Sequence, residues 1–349
     1  MKKIGVLTGG GDCPGLNAAI RAVVRKADAL NYAIVGLKRG WKGLMEMDAF
    51  ELDVGAVSGI LPKGGTILGT SRTNPYKSKE DADLAKRNFE ELGLDALVAI
   101  GGEDTLGAAA KLAKDGYPVV GIPKTIDCDI WGTEATIGFD TATNIISNAI
   151  DRLHTTAESH DRAMVVEVMG RHAGWLALRS GLAGGADLIL IPERPVNFSD
   201  VVSVIKKRHE KGKNFSICVI AEGAKVDFDP LDGEDAKLVV KSAEKDEFGH
   251  VALGGIGAMV SDHLKRETGF DTRYTSLGHV QRGGTPTAYD RFLASNFGVR
   301  AVELISEGKS GRMVCLSHGA FSDIPIENVL GKLRYVPKWE YEVAEVFFG

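Results

Sequence analysis

Short apolar runs alternate along the chain with stretches in which apolar residues recur every three or four positions. The runs predict buried strands at residues 4–8, 96–100, 119–122, 164–168, 188–191 and 217–221. Between them, spacings such as Ala19, Ile20, Val23, Val24 and Ala27 predict amphipathic helices. Continuous apolar strands that alternate with helices are typical of parallel sheets covered on both faces. The pattern therefore predicts an α/β protein with mostly parallel sheets.

The chain has 349 residues, which is too long for one ordinary α/β domain, so we expect two lobes. Two topologies fit the pattern, namely two open doubly wound (Rossmann-like) sheets and a closed (β/α)₈ barrel. Two open sheets are favoured because the glycine-rich turns directly follow strands, as in doubly wound folds. Residues 225–249 are charged and contain Asp-Pro and Asp-Gly turns, so they are interpreted as a surface insertion with one helix at residues 235–244.

The composition excludes several classes of function. Apolar residues make up 44% of the chain and charged residues 26%, which predicts a folded protein rather than disorder. The formal net charge of -5 gives no electrostatic footprint for nucleic acid or an anionic membrane. No apolar run has membrane-spanning length, no secretory leader precedes the first strand, and the four cysteines form no CxxC pair. We therefore expect a cytoplasmic enzyme with reduced thiols and no nucleic-acid or membrane partner.

The first candidate for chemistry is the glycine-rich turn GGGDCPGLN at residues 9–17, between a predicted strand and a predicted helix. Glycines let the backbone approach an anion, and a helix start presents free N–H groups. Gly10 and Gly15 have P-loop spacing, but a Leu-Asn pair replaces the required Lys and Ser/Thr. Pro14 stands where a dinucleotide-binding turn needs its third glycine. On its own, the turn leaves open whether it holds a phosphate or no ligand at all.

Two further motifs also follow predicted strands. In GGEDT, Glu103 and Asp104 at a helix start suit either the helix dipole or a magnesium ion that also binds phosphate oxygens. In PKTIDCD, an extended backbone would point Thr125, Asp127 and Asp129 to one side. One carboxylate could then act as a general base while the other raises its basicity or positions a metal; alternatively, both cap a turn. Because strand-end loops converge on one crevice of an open sheet, the three motifs together favour phosphoryl transfer.

Several sequence blocks, in the same order, give the chain a resemblance to the phosphofructokinases from its N-terminus to roughly residue 305. The blocks are GGGDCPGLN, LGTSR, GGEDT, PKTID, VEVMGRHAG, AEGA, LGHVQRGGTP and YDR. The resemblance implies the phosphofructokinase fold, with a phosphate-donor lobe at residues 1–138 and 286–334 and a fructose 6-phosphate lobe at residues 139–285 and 335–349. It also implies Mg²⁺ as cofactor and phosphoryl transfer to the 1-hydroxyl of fructose 6-phosphate.

The resemblance also implies roles for individual residues. Gly11 would contact the donor phosphate through its backbone, and Glu103 stands where the family usually has a magnesium-binding Asp, which alters the metal-ligand geometry. The group around the moving phosphoryl would comprise the general base Asp127, its supports Asp129 and Thr125, and the cations Arg72 and Arg171. The sugar phosphate would contact Arg162, Met169, Gly170, Glu222, Arg273, His279 and Arg282. Of these, Arg162 and Arg273 would clamp the 6-phosphate from a neighbouring subunit, which implies a homodimer or homotetramer.

Two positions bear on the identity of the phosphate donor. Members of the family that use ATP typically carry glycine where this chain has Asp104 and Lys124. A side chain at position 104 would crowd a nucleotide, and its negative charge would oppose the α-phosphate. Lys124 would supply a compact cation beside pyrophosphate. Pyrophosphate is therefore the predicted donor, and an ion pair between the two side chains, with ATP as donor, is the alternative.

Three rival hypotheses are weighed against this one. An ATP-dependent phosphofructokinase differs only in the donor. A lipid or NAD kinase shares a GGDGT-like loop, but the LGHVQRGGTP block and the set of arginines are evidence against it. A non-catalytic sugar-phosphate sensor is disfavoured because Asp127, Asp129, Arg72 and Arg171 are all present.

Overall fold

The computed structural model describes residues 1–228, 240–245, 247–248 and 251–349. Its strands, in chain order, are β1 (Lys3–Thr8), β2 (Ala33–Leu37), β3 (Ala49–Leu52), β4 (Ala96–Gly101), β5 (Val119–Pro123), β6 (Ala163–Val168), β7 (Leu188–Leu190), β8 (Val196–Asn197), β9 (Ser216–Ala221), β10 (Val226–Asp227), β11 (Val240–Lys245), β12 (Val251–Leu253), β13 (Thr272–Ser276), β14 (Arg312–Ser317) and β15 (Ala320–Pro325). Its helices are α1 (Leu16–Ala29), α2 (Trp41–Glu46), α3 (Lys79–Glu91), α4 (Glu103–Lys114), α5 (Phe139–Ser159), α6 (Trp175–Ala183), α7 (Phe198–Glu210), α8 (Ile256–Thr268), α9 (Ala288–Ser306) and α10 (Lys338–Glu345). All six predicted strands are present, with helices between them.

The described residues form two compact units. The first consists of residues 1–141, 247–248 and 282–333, and the second of residues 142–228, 240–245, 251–281 and 334–349. Residues 139–141, 247–248 and 282–285 lie in the first unit, although the predicted boundaries assign them to the second lobe, and residue 334 lies in the second unit instead of the first. In the part of the chain that the structure describes, no helix is long and apolar enough to cross a membrane.

The first unit is built on a seven-stranded sheet with the order β15-β14-β5-β4-β1-β2-β3. The five central strands run parallel, and an antiparallel strand lies at each edge. Every residue of β4 is buried, as expected for a continuous apolar strand that is covered on both faces. Because both edges are separate strands, the sheet is open, and the alternative of a closed barrel is wrong.

The second unit contains a four-stranded parallel sheet with the order β13-β6-β9-β7. Its core is formed by apolar side chains of the sheet, α7 and α8, among them Val165, Ile220, Phe198 and Val260. Two small sheets accompany it, a parallel pair of β8 and β10 and an antiparallel pair of β11 and β12.

The helix predicted at residues 235–244 is wrong over residues 240–244. Those residues belong to β11, which pairs antiparallel with β12, while residues 235–239 lie outside the described residues. Pairing with β12 gives the backbone of these residues hydrogen-bond partners, and the β-branched Val240 at the start of β11 favours a strand.

Helices α1 and α9 of the first unit cross in close contact at Gly298. A Cβ added to Gly298 would lie 2.7 Å from the backbone carbonyl oxygen of Ala19. Glycine at this position therefore lets the two helix backbones approach each other. Because α1 begins directly after the first glycine-rich turn, this contact helps to set the position of that turn.

The start of α5 is held by the carboxylate of Asp290, which is fully buried on α9. Its Oδ1 accepts a hydrogen bond from the Gly138 N–H at 2.9 Å, and its Oδ2 accepts from the Thr141 N–H at 2.8 Å. The Thr141 hydroxyl donates to the same oxygen. The carboxylate thus satisfies backbone donors at a helix start, where no intrahelical acceptor exists. This fixes the chain that follows the PKTIDCD motif.

Candidate active site

The three motif loops lie at the carboxyl ends of β1, β4 and β5, which are neighbours in the sheet of the first unit. They are hydrogen-bonded to one another through the backbone. The Gly9 N–H donates to the Ile100 carbonyl at 2.9 Å, and the Lys124 N–H donates to the Gly101 carbonyl at 2.9 Å. The predicted convergence of the three loops is therefore confirmed.

The first loop requires glycine for steric reasons. A Cβ on Gly9 would lie 2.5 Å from the Thr105 hydroxyl oxygen, and Gly10 has a left-handed φ of 76°. The Gly10 N–H donates to the Ser71 carbonyl at 3.1 Å, and the Thr70 hydroxyl donates to the Gly10 carbonyl at 2.5 Å. These two bonds hold the segment next to Arg72 against the first loop.

Lys124 is buried beneath the first loop, with 3% of its surface exposed. Its Nζ donates to the Gly9 carbonyl at 2.9 Å and also to the Gly11 carbonyl. Burial, together with the positive charge of Arg282, lowers the pKa of Lys124 to about 8. The ammonium therefore ties down the loop that was predicted to bind phosphate, a role that the sequence did not indicate.

Glu103 and Asp104 are the first two residues of α4, after an N-cap glycine whose position offers no side-chain cap. Both are half-buried. Carboxylates are favourable at a helix N-terminus because the first N–H groups carry partial positive charge. The free N–H groups of a helix start would by themselves attract an anion. The two carboxylates at the start of α4 repel such an anion.

The backbone from Thr125 to Asp129 is not extended, so the condition under which the three side chains would point to one side is not met, and the alternative of a turn is the one observed. The Asp127 N–H donates to the Thr125 hydroxyl oxygen at 3.1 Å, which folds the backbone into a turn. Cys128 then adopts a left-handed φ of 54°, so the alternation of an extended chain is interrupted. Sequence patterning could not show this, because cysteine is not a residue that favours the left-handed region.

The carboxylates of Asp127 and Asp129 nevertheless interact. Burial raises the pKa of Asp129 to about 8, together with the charges of Asp127, Glu103 and Asp104. Two carboxylates that repel each other in this way share a proton near neutral pH, which leaves one of them basic. A divalent cation would relieve the same repulsion, so the donor set fits Mg²⁺ bound jointly by carboxylate and phosphate oxygens. Within the described residues, no three His, Cys, Asp or Glu side chains form a metal cluster by themselves.

Arg282, which the resemblance assigned to the sugar phosphate, lies against the first loop. Its NH1 donates to the Asp12 carbonyl at 3.3 Å. A Cβ on Gly11 would lie 2.5 Å from the same nitrogen. Glycine at position 11 therefore admits a guanidinium over the loop backbone, which adds positive charge to the place predicted for the donor phosphate.

In the second unit, five of the predicted residues lie at the carboxyl end of the sheet. Met169 and Gly170 directly follow β6, and the Glu222 N–H donates to the Val168 carbonyl at 2.8 Å. Arg171 follows in the same loop, whose Gly170 carbonyl accepts from the Gly223 N–H at 3.1 Å. His279 lies in the 3₁₀ helix Gly278–Arg282, which follows β13.

Gln281 is a residue of this region that sequence reasoning missed. It is fully buried, and its Oε1 accepts from the Met169 N–H at 3.1 Å while its Nε2 donates to the Gly278 carbonyl at 2.9 Å. The side chain therefore connects the loop after β6 to the 3₁₀ helix. The signal was its position inside the LGHVQRGGTP block, although nothing in the block indicates burial.

Arg162 and Arg273 lie at the opposite, amino end of the same sheet. Arg162 directly precedes β6, and Arg273 is the second residue of β13. β6 has six residues, so its two ends are roughly 20 Å apart at about 3.3 Å per residue. Both guanidinium groups contact Asp271, at 2.7 Å from Arg162 Nε and 2.6 Å from Arg273 NH1. Sequence reasoning also missed Asp271.

The comparisons with known proteins agree with this architecture. A family model described as phosphofructokinase matches residues 3–305. A relative from Amycolatopsis mediterranei (strain S699), named pyrophosphate--fructose 6-phosphate 1-phosphotransferase, is 54% identical over 99% of this chain and 100% of its own length. An ATP-dependent 6-phosphofructokinase from Mycobacterium leprae (strain TN) is 47% identical over 99% of this chain and 100% of its own. The crystal structure of Pichia pastoris phosphofructokinase in the T-state matches with a TM-score of 0.83 and 34% identity, covering 99% of this chain and 36% of that one.

Replacing Lys124 with Met should loosen the first loop. The Gly9 and Gly11 carbonyls would lose a charged donor, and such bonds contribute about 1.5–3 kcal/mol each. We expect the amides of residues 9–12 to exchange hydrogen roughly tenfold faster or more, measured by mass spectrometry, while β-sheet amides are unchanged. Lys114→Met, an exposed lysine at the end of α4, is the control. Equal exchange in the Lys124→Met and native proteins would contradict the role given to the ammonium.

Proposed function

The chain belongs to the phosphofructokinase family, and we propose that it transfers a phosphoryl group from pyrophosphate to the 1-hydroxyl of fructose 6-phosphate. The product is fructose 1,6-bisphosphate. Because the phosphate bonds of donor and product are closer in energy than with ATP, the reaction should run in both directions. It could therefore serve glycolysis and gluconeogenesis in the cytoplasm, which remains the predicted location.

The observation that carries the choice of donor is the pair of carboxylates at the start of α4. A nucleotide would bring an additional α-phosphate into the glycine-rich site, and the Asp104 carboxylate at the helix N-terminus would repel it. Pyrophosphate lacks both that phosphate and the nucleoside. The Lys124 ammonium on the first loop supports the same donor, because it offsets phosphate charge from beneath the loop. The 54% identical relative named for pyrophosphate also supports this choice.

ATP stays the alternative donor, because a 47% identical relative is named ATP-dependent 6-phosphofructokinase. Overall identity therefore does not decide between the donors, and individual side chains must. A non-catalytic sugar-phosphate sensor is the alternative from another class of protein. The basic carboxylate pair of Asp127 and Asp129 favours an enzyme, since a sensor has no use for a proton acceptor.

The proposed chemistry assigns Asp127 as the general base for the sugar hydroxyl. The neighbouring Asp129 carboxylate raises the basicity of the pair, and the Thr125 hydroxyl holds the turn that presents Asp127. Arg72 and Arg171 are proposed to balance the negative charge that spreads over the moving phosphoryl. Mg²⁺, held by Glu103 and by pyrophosphate oxygens, would neutralise charge on the donor.

The sugar phosphate is proposed to use the two ends of the second unit's sheet in two different copies of the chain. Met169, Gly170, Glu222 and His279 at the carboxyl end would bind the sugar ring, with Glu222 as acceptor for hydroxyls. Arg162 and Arg273 are roughly 20 Å away along the strands, too far to reach the same sugar phosphate. We therefore propose that they clamp the 6-phosphate bound by a second copy, which makes a homodimer the smallest active form and permits a homotetramer.

A donor assay tests the reaction. With Mg²⁺ and fructose 6-phosphate, pyrophosphate should give fructose 1,6-bisphosphate, and kcat/KM with ATP should be at least about 100-fold lower. Asp104→Gly should raise kcat/KM for ATP roughly tenfold or more, because it removes a charge and a side chain from the α4 N-terminus. Glu80→Gly changes the second residue of α3 in the same way and is the control. Turnover with ATP alone would refute the donor, and binding of fructose 6-phosphate without turnover would favour the sensor.

The pH dependence tests the role of Lys124. Its pKa of about 8 lies below that of an ordinary lysine, so the ammonium loses its proton as the pH rises through this value. Since kcat/KM reports the free enzyme, kcat/KM for pyrophosphate should fall above about pH 8. Lys124→Gln should have lower activity, and its kcat/KM for pyrophosphate should no longer fall above about pH 8. If kcat/KM of Lys124→Gln falls in the same way as that of the native protein, another group causes the fall.

Hybrid oligomers test whether the site is shared. Glu222→Ala and the double variant Arg162→Ala/Arg273→Ala should each be nearly inactive. Co-expressed with different tags and purified as hybrids, they should regain up to about half of the native activity, since one site per hybrid dimer has intact residues. The control is a hybrid of one Glu222→Ala copy and one His279→Ala copy. Both residues lie at the carboxyl end of the sheet, so each site in that hybrid lacks one of them and no site is intact. Failure of the first pair to regain activity would place the arginines in the same copy as Glu222.

A further inference from the structure

Asp271 lies between the two arginines by a simple consequence of strand register. β6 and β13 are parallel neighbours with Ala163 opposite Thr272, so Arg162 and Asp271 are opposite each other one residue earlier. Asp271 directly precedes β13 and Arg273 is the second residue of that strand, so the two are at the spacing that puts side chains of an extended chain on the same side. The carboxylate consequently meets both guanidiniums, with its Oδ2 at 2.7 Å from Arg162 and its Oδ1 at 2.6 Å from Arg273.

These ion pairs use only part of the N–H donors of the two guanidinium groups. Arg162 uses Nε, and Arg273 uses NH1, which also donates to the Thr272 carbonyl at 3.3 Å. Among the described residues, the remaining guanidinium nitrogens of these two arginines have no further hydrogen bond. One carboxylate against two guanidiniums leaves a net positive charge. The cluster is thus positively charged and retains N–H donors suited to an anion with several acceptor oxygens.

The same ion pairs contribute little to folding. The side chains of Arg162, Asp271 and Arg273 are 25%, 39% and 48% exposed, and water screens pairs of this kind. The Arg162 guanidinium, followed by the Arg273 charge, lowers the pKa of Asp271, so the carboxylate stays ionised at neutral pH. A reason other than stability is therefore needed for a carboxylate beside two arginines that are meant to bind phosphate.

We infer that Asp271 is a positioning residue that orders Arg162 and Arg273 into one clamp for the phosphate of the sugar phosphate. This inference rests on the proposed function, which assigns the arginines to the 6-phosphate. Without the carboxylate, the two guanidiniums repel each other and each samples many rotamers, so phosphate binding must order both. With it, their planes are fixed before the ligand arrives.

The first unit offers a matched arrangement that has no predicted ligand. The Asp323 carboxylate contacts Arg312 Nε at 2.7 Å and Arg300 NH2 at 3.1 Å, and it is 12% exposed. Here too, one carboxylate bridges two arginines. A change at Asp323 therefore reports the structural effect of removing such a bridge, without an effect on a phosphate clamp.

Steady-state kinetics and direct binding of the full-length oligomer test the inference. Asp271→Asn should raise KM for fructose 6-phosphate about tenfold while kcat and KM for pyrophosphate stay within about twofold of the native values. Asp271→Glu should recover part of the loss, because it keeps the charge. Asp323→Asn should leave KM for fructose 6-phosphate unchanged, although its midpoint of thermal unfolding is expected to fall. Calorimetric titration with fructose 6-phosphate alone provides the same comparison without turnover.

The outcomes separate this inference from the function on which it rests. If Arg162→Ala weakens fructose 6-phosphate and Asp271→Asn does not, the positioning role is wrong and the clamp stands. Tighter binding in Asp271→Asn would also overturn it, since the carboxylate would then compete with the phosphate. If neither variant changes fructose 6-phosphate binding, the assignment of the arginines to the 6-phosphate fails first.

Discussion

The chemistry of the first unit depends on the way one buried ammonium organises a loop of glycines. Lys124 donates hydrogen bonds to the Gly9 and Gly11 carbonyls. The two positions must be glycine, because Thr105 and Arg282 occupy the space that Cβ atoms would need. A loop held from below in this way has little conformational freedom left to lose when an anion binds. The same lysine that bears on donor choice thus also holds the shape of the donor loop. Specificity and loop structure are for this reason not separable at position 124.

The second unit uses the polarity of a parallel sheet. The loops after its strands bring together Met169, Glu222 and His279, while the residues before its strands bring together Arg162 and Asp271. A parallel sheet places these two groups at opposite ends. The proposal that both groups bind the sugar phosphate therefore requires two copies of the chain.

Much of the fold could be predicted from the sequence, because strands buried on both faces appear as continuous runs of apolar residues. The motif loops were also predictable, since glycine and carboxylate residues directly follow those strands. The sequence left open whether the residues around Asp127 are extended or form a turn, because the left-handed conformation of Cys128 is not one that its residue type favours. Asp271 was missed because its partner Arg162 is distant in sequence and lies beside it only through the register of β6 and β13. The contact of Arg282 with the first loop likewise joins residues that are distant in sequence.

The crossing of α1 and α9 has a consequence for how this chain can vary. An added Cβ at Gly298 would meet atoms of α1, so this glycine sets how close α9 comes to the helix that begins directly after the first loop. One added methyl group at Gly298 would clash with the Ala19 carbonyl and displace α1. Because a helix is rigid, that displacement would also move the glycines that precede α1. The effect of a substitution should therefore depend on whether it displaces a helix that ends at the site, and not only on its distance from the reacting groups. Gly298 on α9 should then tolerate substitution as poorly as a residue that contacts phosphate.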